Sequence, residues 1–100
     1  MKLIFGNPGS GKTKALLALS EKNNIPILCE SDARVQRLLV KASNYGFTVP
    51  TPVTIEDLNA SITDVYVDDV KRLLEALFNI EVECITVNRD DALNVVDLDS

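Results

Sequence analysis

The sequence is poor in the residues that metal centres and disulfide frameworks need. It contains no histidine, no tryptophan and only two cysteines among its 100 residues. Cys29 and Cys84 each lie in a β-rich apolar run, and neither has a second cysteine or a histidine nearby. We therefore expect both thiols to be core residues, because isolated cysteines in such runs behave as small hydrophobes and not as disulfide or metal partners.

Long apolar runs are also missing. No stretch approaches the roughly 18 residues of a membrane span, and Gly6 ends the first apolar run too early for a secretory signal. We therefore expect no membrane span and a cytoplasmic protein. With 46% apolar residues in 100 the chain has material for one modest core, so residues 1–100 are predicted to form a single domain.

The net charge of −5 is unevenly distributed. Residues 1–50 carry seven Lys/Arg and three Asp/Glu, whereas residues 51–100 carry three and twelve. Attraction of nucleic acid by bulk charge is therefore disfavoured. Arg34, Arg37 and Lys41 would form one basic stripe on a predicted helix. We interpret this stripe as a solvated face, with nucleic acid or an acidic protein partner as the alternative.

Strand and helix patterns alternate along the chain. Strands are predicted at Lys2–Phe5, Ile25–Cys29, Asp64–Asp68 and Val82–Asn88, helices at residues 13–22, 32–45 and 70–78, and a capping-box turn at Thr54–Asp57. Such alternation is typical of a mainly parallel sheet, because parallel neighbours need long crossovers. We therefore predict a small three-layer α/β/α fold with its ligand site at the carboxyl ends of the strands. Too few residues follow Asn88 for another parallel crossover, so Val95–Leu98 is expected to pair antiparallel, lie free or find a partner.

Three of the four glycines fall within six positions, directly behind Leu3-Ile4-Phe5. The segment GNPGSGKT matches the phosphate-binding pattern G-x-x-x-x-G-K-[ST] between a predicted strand and a predicted helix. Glycines allow successive N–H groups to point at a polyphosphate, and the following helix adds its positive end. Lys12 would reach the outer phosphates, and Thr13 would ligate Mg²⁺. The predicted nucleotide-binding residues are Gly6, Asn7, Pro8, Gly9, Ser10, Gly11, Lys12, Thr13 and Lys14.

A second motif, VYVDD, ends another predicted strand with two carboxylates. Asp68 is expected to bind Mg²⁺ through water, and Asp69 to orient and deprotonate an attacking water. Taken alone, the acidic pair fits the capping of the following helix equally well.

Together the two motifs resemble those of the P-loop NTPases. The adjacent second carboxylate and the strand predicted at Val82–Asn88 are similar to the division that includes AAA+ and RecA-like ATPases. The resemblance covers residues 2 to about 93 and implies a truncated P-loop core that binds ATP, or another nucleoside triphosphate, with Mg²⁺. It also implies a polar sensor after the next strand, for which Asn88 is the candidate, with Thr86 behind it. An ordinary polar strand exit is the alternative for Asn88.

The chain also departs from that family. Asp69 stands where the family usually has Glu, which moves the implied base away from the water. No lid domain fits, and Arg72 or Arg89 would serve as an arginine finger only across a subunit boundary in an oligomer. Slow Mg²⁺-dependent ATP hydrolysis is the first hypothesis. A nucleotide-binding module that regulates assembly with negligible turnover is the second, while a small nucleoside or nucleotide kinase and a GTPase rank below them.

Overall fold

The computed structural model describes residues 1–91 and 94–99. In this part of the chain, three α-helices accompany short strands that all pair in parallel. In chain order the elements are β1 (Lys2–Phe5), α1 (Lys12–Asn23), β2 (Ile27–Leu28), α2 (Asp32–Tyr45), β3 (Tyr66–Val67), α3 (Val70–Phe78) and β4 (Asn94–Asp97), with 3-10 turns at Ile55–Asp57 and Arg89–Asp91. The predicted mixed α/β class with a small parallel sheet is confirmed at this level.

The helix boundaries follow from local capping chemistry. The Ser31 hydroxyl accepts the Arg34 N–H at the start of α2, and Gly46 ends this helix with φ at 80°. Helix α1 begins at Lys12, one residue earlier than predicted, and ends at Asn23, where Asn24 caps it in a left-handed conformation. With these bounds, α1 precedes β2 in the sequence and α2 follows it. The two helices contact each other.

Two pairs of strands make up the sheet structure. β1 pairs with β4, with Lys2 opposite Asn94. β2 pairs with β3, and a single parallel bridge joins Leu28 to Val53. β2 and β3 are shorter than predicted, and they form a two-stranded sheet separate from β1 and β4. The carboxyl end of β1 continues into the glycine-rich loop, which we define as Gly6–Thr13, and that of β3 continues into Asp68.

The prediction of a strand at Val82–Asn88 is wrong. This segment lies outside every helix and strand, and residues 83–88 are exposed. Its start is held by α3, since the Val82 N–H donates to Glu75 Oε2 at 2.9 Å. β-propensity describes how a side chain fits a pleated, half-buried surface, so it does not create a strand where no edge is paired.

The expectation for the chain after Asn88 is also corrected. Residues Asn94–Asp97 pair in parallel with β1, and the Leu98 N–H extends this contact by donating to the Phe5 carbonyl at 2.9 Å. The prediction assumed a connection that starts at Asn88. The preceding segment is not a strand, and β4 pairs with β1, the first strand of the chain. The connection between these two paired strands therefore spans residues 6–93, which is long enough for parallel pairing.

The core lies among α1, β2 and α2. Its buried members are Leu16, Leu17, Ile27, Cys29, Val35, Leu38 and Ala42, against which Leu39, Phe47, Val49 and Tyr66 pack. The expectation for Cys84 is wrong, because this thiol is exposed. Tyr45, which fits the core periodicity of α2, is 46% exposed. Within the described ranges, none of the helices combines the length and apolar character that crossing a bilayer requires.

Candidate functional site

The conformation of the glycine-rich loop depends on its glycines. Gly9 and Gly11 have φ angles of 84° and 92°, in the left-handed region where L side chains are strained. At Gly6 the reason is close packing. A Cβ there would lie 2.1 Å from Ser10 Oγ and 3.3 Å from Lys12 Cγ. The three glycines thus let the loop fold back on itself between β1 and α1.

Lys12 joins the two ends of this loop. Its Nζ donates to the carbonyl oxygens of Gly6 at 2.6 Å and of Asn7 at 2.9 Å. Because α1 begins at Lys12, the N–H groups of its first turn have no acceptor within the helix. The ammonium group and the positive end of α1 therefore lie at the same place in the fold.

Ser10 supplies an unsatisfied hydroxyl at the loop. Its Oγ is buried and has no hydrogen-bond partner in the described ranges 1–91 and 94–99. Buried polar atoms without a partner are rare, and they often mark the binding place of a water or an ion, or a functional group. The orphaned hydroxyl, the ammonium of Lys12 and the first-turn amides are donors that fit the oxygen atoms of a phosphate group.

Asp68 lies against the helix that follows this loop. Thr13 Oγ1 donates to Asp68 Oδ2 at 3.0 Å, across 55 positions of sequence. Since β3 ends directly before Asp68, the strand delivers this carboxylate to the first turn of α1. The two residues predicted as Mg²⁺ ligands are thus in direct contact.

Arg34 is the residue that sequence reasoning missed. Its Nη2 donates to the same Asp68 Oδ2 at 2.8 Å, and the two side chains are only 8% and 10% exposed. The expectation of a solvated stripe is therefore wrong for Arg34, although Arg37 and Lys41 are exposed. A signal was present in the sequence, because Arg34 precedes the core residue Leu38 by one helical turn and so shares its face.

Asp69 has a different environment from Asp68. Its Oδ1 accepts the Arg72 N–H at 3.1 Å, and its Oδ2 lies 3.9 Å from Arg72 Nε. The carboxylate is half exposed, and the residue has φ at 59° as the N-cap of α3. The geometry is that of a helix cap, the alternative left open by the sequence, while the role of Asp69 as a base stays a prediction.

Two other predicted site residues make contacts of their own. Asn88 Oδ1 accepts the Asp90 N–H at 3.0 Å and so caps the turn Arg89–Asp91. Lys14 Nζ lies 5.3 Å from the centroid of the Tyr45 ring, a cation–π contact. The first contact joins near neighbours in sequence and the second joins α1 to the end of α2, while the sensor role of Asn88 and the phosphate role of Lys14 stay predictions.

Asp99 also reaches the glycine-rich loop, which the sequence did not predict. Its Oδ2 accepts the Asn7 N–H at 2.5 Å, in an exposed position. The pairing of β4 with β1 brings it there, since Asp99 follows β4 by two residues. An acidic group therefore lies at the entrance to the loop, on the opposite side of the Asn7 peptide unit from Lys12.

Burial also affects a thiol beside the site. The pKa of Cys29 is raised from 9.0 to about 11, mainly by desolvation on burial, with the carboxylates of Glu30 and Asp68 also raising it and Arg34 and Arg72 opposing them. The thiol is therefore neutral at physiological pH. Cys29 acts here as a packed apolar residue, as the sequence predicts.

The donor set bears on which metal the site would suit. Among residues 1–91 and 94–99, no group of three or more His, Cys, Asp or Glu is placed to hold a metal ion. Mg²⁺ usually takes one or two carboxylates and completes its shell with water and substrate phosphates. Asp68 and Thr13 fit that requirement, with the phosphates supplying the remaining ligands.

Comparisons of the chain with family models, curated proteins and solved structures found no match. Function is therefore argued from the chemistry of the site itself.

Proposed function

We propose that this protein binds ATP, or another nucleoside triphosphate, together with Mg²⁺ in the glycine-rich loop and hydrolyses it slowly. The observation that carries the proposal is the 3.0 Å hydrogen bond between Thr13 Oγ1 and Asp68 Oδ2. It joins the end of the G-x-x-x-x-G-K-[ST] motif to the carboxylate of the VYVDD motif. A chance glycine-rich turn does not require such a partner.

Each donor of the loop has a role in this proposal. The first-turn amides of α1 and the Ser10 hydroxyl bind phosphate oxygens. Lys12 moves from the Gly6 and Asn7 carbonyls to the outer phosphates, where its charge is better compensated. Thr13 and Asp68 would hold Mg²⁺, which would neutralise part of the triphosphate charge. The resemblance to P-loop NTPases and the three-layer α/β/α arrangement belong to this proposal, supported by the parallel strands and by motifs that follow their carboxyl ends.

The decisive variant is Lys12→Ala. Loss of a charge-assisted hydrogen bond costs about 1.5–3 kcal/mol, so we expect Mg·ATP to bind about 10- to 100-fold more weakly. Lys22→Ala is the matched control, since Lys22 is an exposed lysine in the last turn of the same helix. Isothermal titration calorimetry measures both affinities. Equal affinity of wild type and Lys12→Ala for Mg·ATP would contradict the assignment of the phosphate site to this loop.

One observation favours the second hypothesis, a nucleotide-binding module with negligible turnover that regulates assembly with another copy or a protein partner. Asp69, the proposed base, is already engaged in capping α3. Asp69→Asn separates the two candidates, because an amide oxygen still caps the helix but takes no proton. Slow hydrolysis predicts faster single-turnover phosphate release from wild type than from the variant. Equal rates, with ATP bound in both proteins, favour the binding module.

A further inference from the structure

Arg34 places a positive charge beside the carboxylate that the proposed metal needs. Its side chain is 8% exposed, and it belongs to the first turn of α2, where the helix dipole adds further positive potential. A charge this deeply buried is tolerated only when it is paired. Asp68 provides the pairing at 2.8 Å.

The ion pair balances the charge of the metal site in the absence of a metal. Asp68 Oδ2 already accepts hydrogen bonds from both Arg34 and Thr13. A divalent cation arriving alone would gain one carboxylate but would be repelled by a guanidinium a few ångströms away, where water screens little. The arrangement therefore opposes binding of the free metal ion.

A triphosphate changes this balance. It brings several negative charges into the loop, enough to accommodate both Mg²⁺ and the guanidinium group. Arginine is suited to such an exchange, because its planar fork bonds carboxylate and phosphate oxygens equally well. The guanidinium can then keep one oxygen of Asp68 or turn to a phosphate without being left unpaired.

We propose that Arg34 makes metal binding at Asp68 conditional on the triphosphate, so that the site selects the metal–nucleotide complex over the free ion. This inference rests on the proposed function, because it assigns a positioning residue to the same site. Arg34 acts through Asp68. It differs from Arg37, one turn further along α2, which is exposed.

The test is a Mn²⁺ titration of the nucleotide-free protein, followed by electron paramagnetic resonance. Wild type is expected to bind Mn²⁺ weakly, and Arg34→Gln at least about tenfold more tightly, because the shorter amide side chain carries no charge to repel the cation. Arg34→Lys keeps the charge and should remain weak. Arg37→Gln is the matched control and should equal wild type. Equal Mn²⁺ affinity in Arg34→Gln and wild type, with both folded by thermal melting, would overturn the inference.

A second measurement covers the case in which Arg34→Gln does not fold. The guanidinium nitrogen signals of Arg34 in wild type are followed by NMR during addition of Mg²⁺, alone and with a non-hydrolysable ATP analogue. We expect them to move only when both are present, and a shift with Mg²⁺ alone would contradict the proposal. Failure of the proposed function has a different signature, because it abolishes ATP binding by wild type while the Mn²⁺ difference between wild type and Arg34→Gln persists.

Discussion

Two regions of this protein carry similar apolar side chains but use them differently. Between residues 16 and 42, Leu17 and Leu38 are fully buried, and α1, β2 and α2 close around them. In residues 78–91 and 94–97, Phe78 is 61% exposed and Ile85 52% exposed. The same kind of residue therefore contributes to the core in the first region and to the surface in the second.

This difference in burial shows which region stabilises the fold and positions Asp68. Thr13 and Arg34 belong to the helices that build the core, and Asp68 ends the strand that pairs with β2. The contacts of Asp68 thus rest on the well-packed region, whereas the glycine-rich loop follows β1, which pairs with β4. Changes in the second region should alter neither the core nor the contacts of Asp68, and the predictions below test this separation.

The largest effect is expected for truncation of a core side chain. Leu38→Ala should lower the free energy of unfolding by about 2–5 kcal/mol, because it removes buried methylene groups and leaves a cavity. Phe78→Ala, at the exposed end of α3, should change it by no more than about 0.5 kcal/mol. Urea denaturation monitored by circular dichroism measures both. A cost for Phe78→Ala as large as that for Leu38→Ala would mean that the second region is packed in solution.

A smaller effect is expected at Asp69, where α3 begins. Asp69→Ala should destabilise the protein by about 1 kcal/mol, because it removes the side-chain oxygen that accepts the Arg72 N–H. Asp69→Asn retains an acceptor and tolerates the positive φ of this position, so it should cost less. Denaturation curves measured under identical conditions show which of the two variants loses more stability. Equal losses would show that the carboxylate charge, and not the cap, stabilises α3.

The sequence predicted local features well where a few neighbouring residues decide them. The bounds of α2 follow from Ser31 and Gly46, and the turn at Ile55–Asp57 follows from the capping box that Thr54 begins. The glycine-rich loop was predicted by its spacing. In each case the hydrogen bonds that set the conformation join residues close in sequence.

Features that depend on distant partners were predicted poorly. The helical stripe of Arg34 predicts a solvated side chain, because the pattern holds no sign of Asp68, a partner 34 residues away. The segment Val82–Asn88 has strand-forming residues but no paired edge. Short-range patterns hold little information about which edge a segment finds, so the pairing of β4 with β1 was also missed.

The smallest expected effect is chemical modification of the two thiols, one in each region. Cys29 is 2% exposed with its pKa raised to about 11, whereas Cys84 is exposed. Because alkylation requires an accessible thiolate, iodoacetamide at pH 8 should modify Cys84 alone in the native protein and both thiols in urea. Mass spectrometry counts the adducts, and Cys84→Ser should give none under native conditions. Native modification of Cys29 at a comparable rate would show that α2 opens from β2 without global unfolding, because burial is what raises the pKa of this thiol and shields it from reagent.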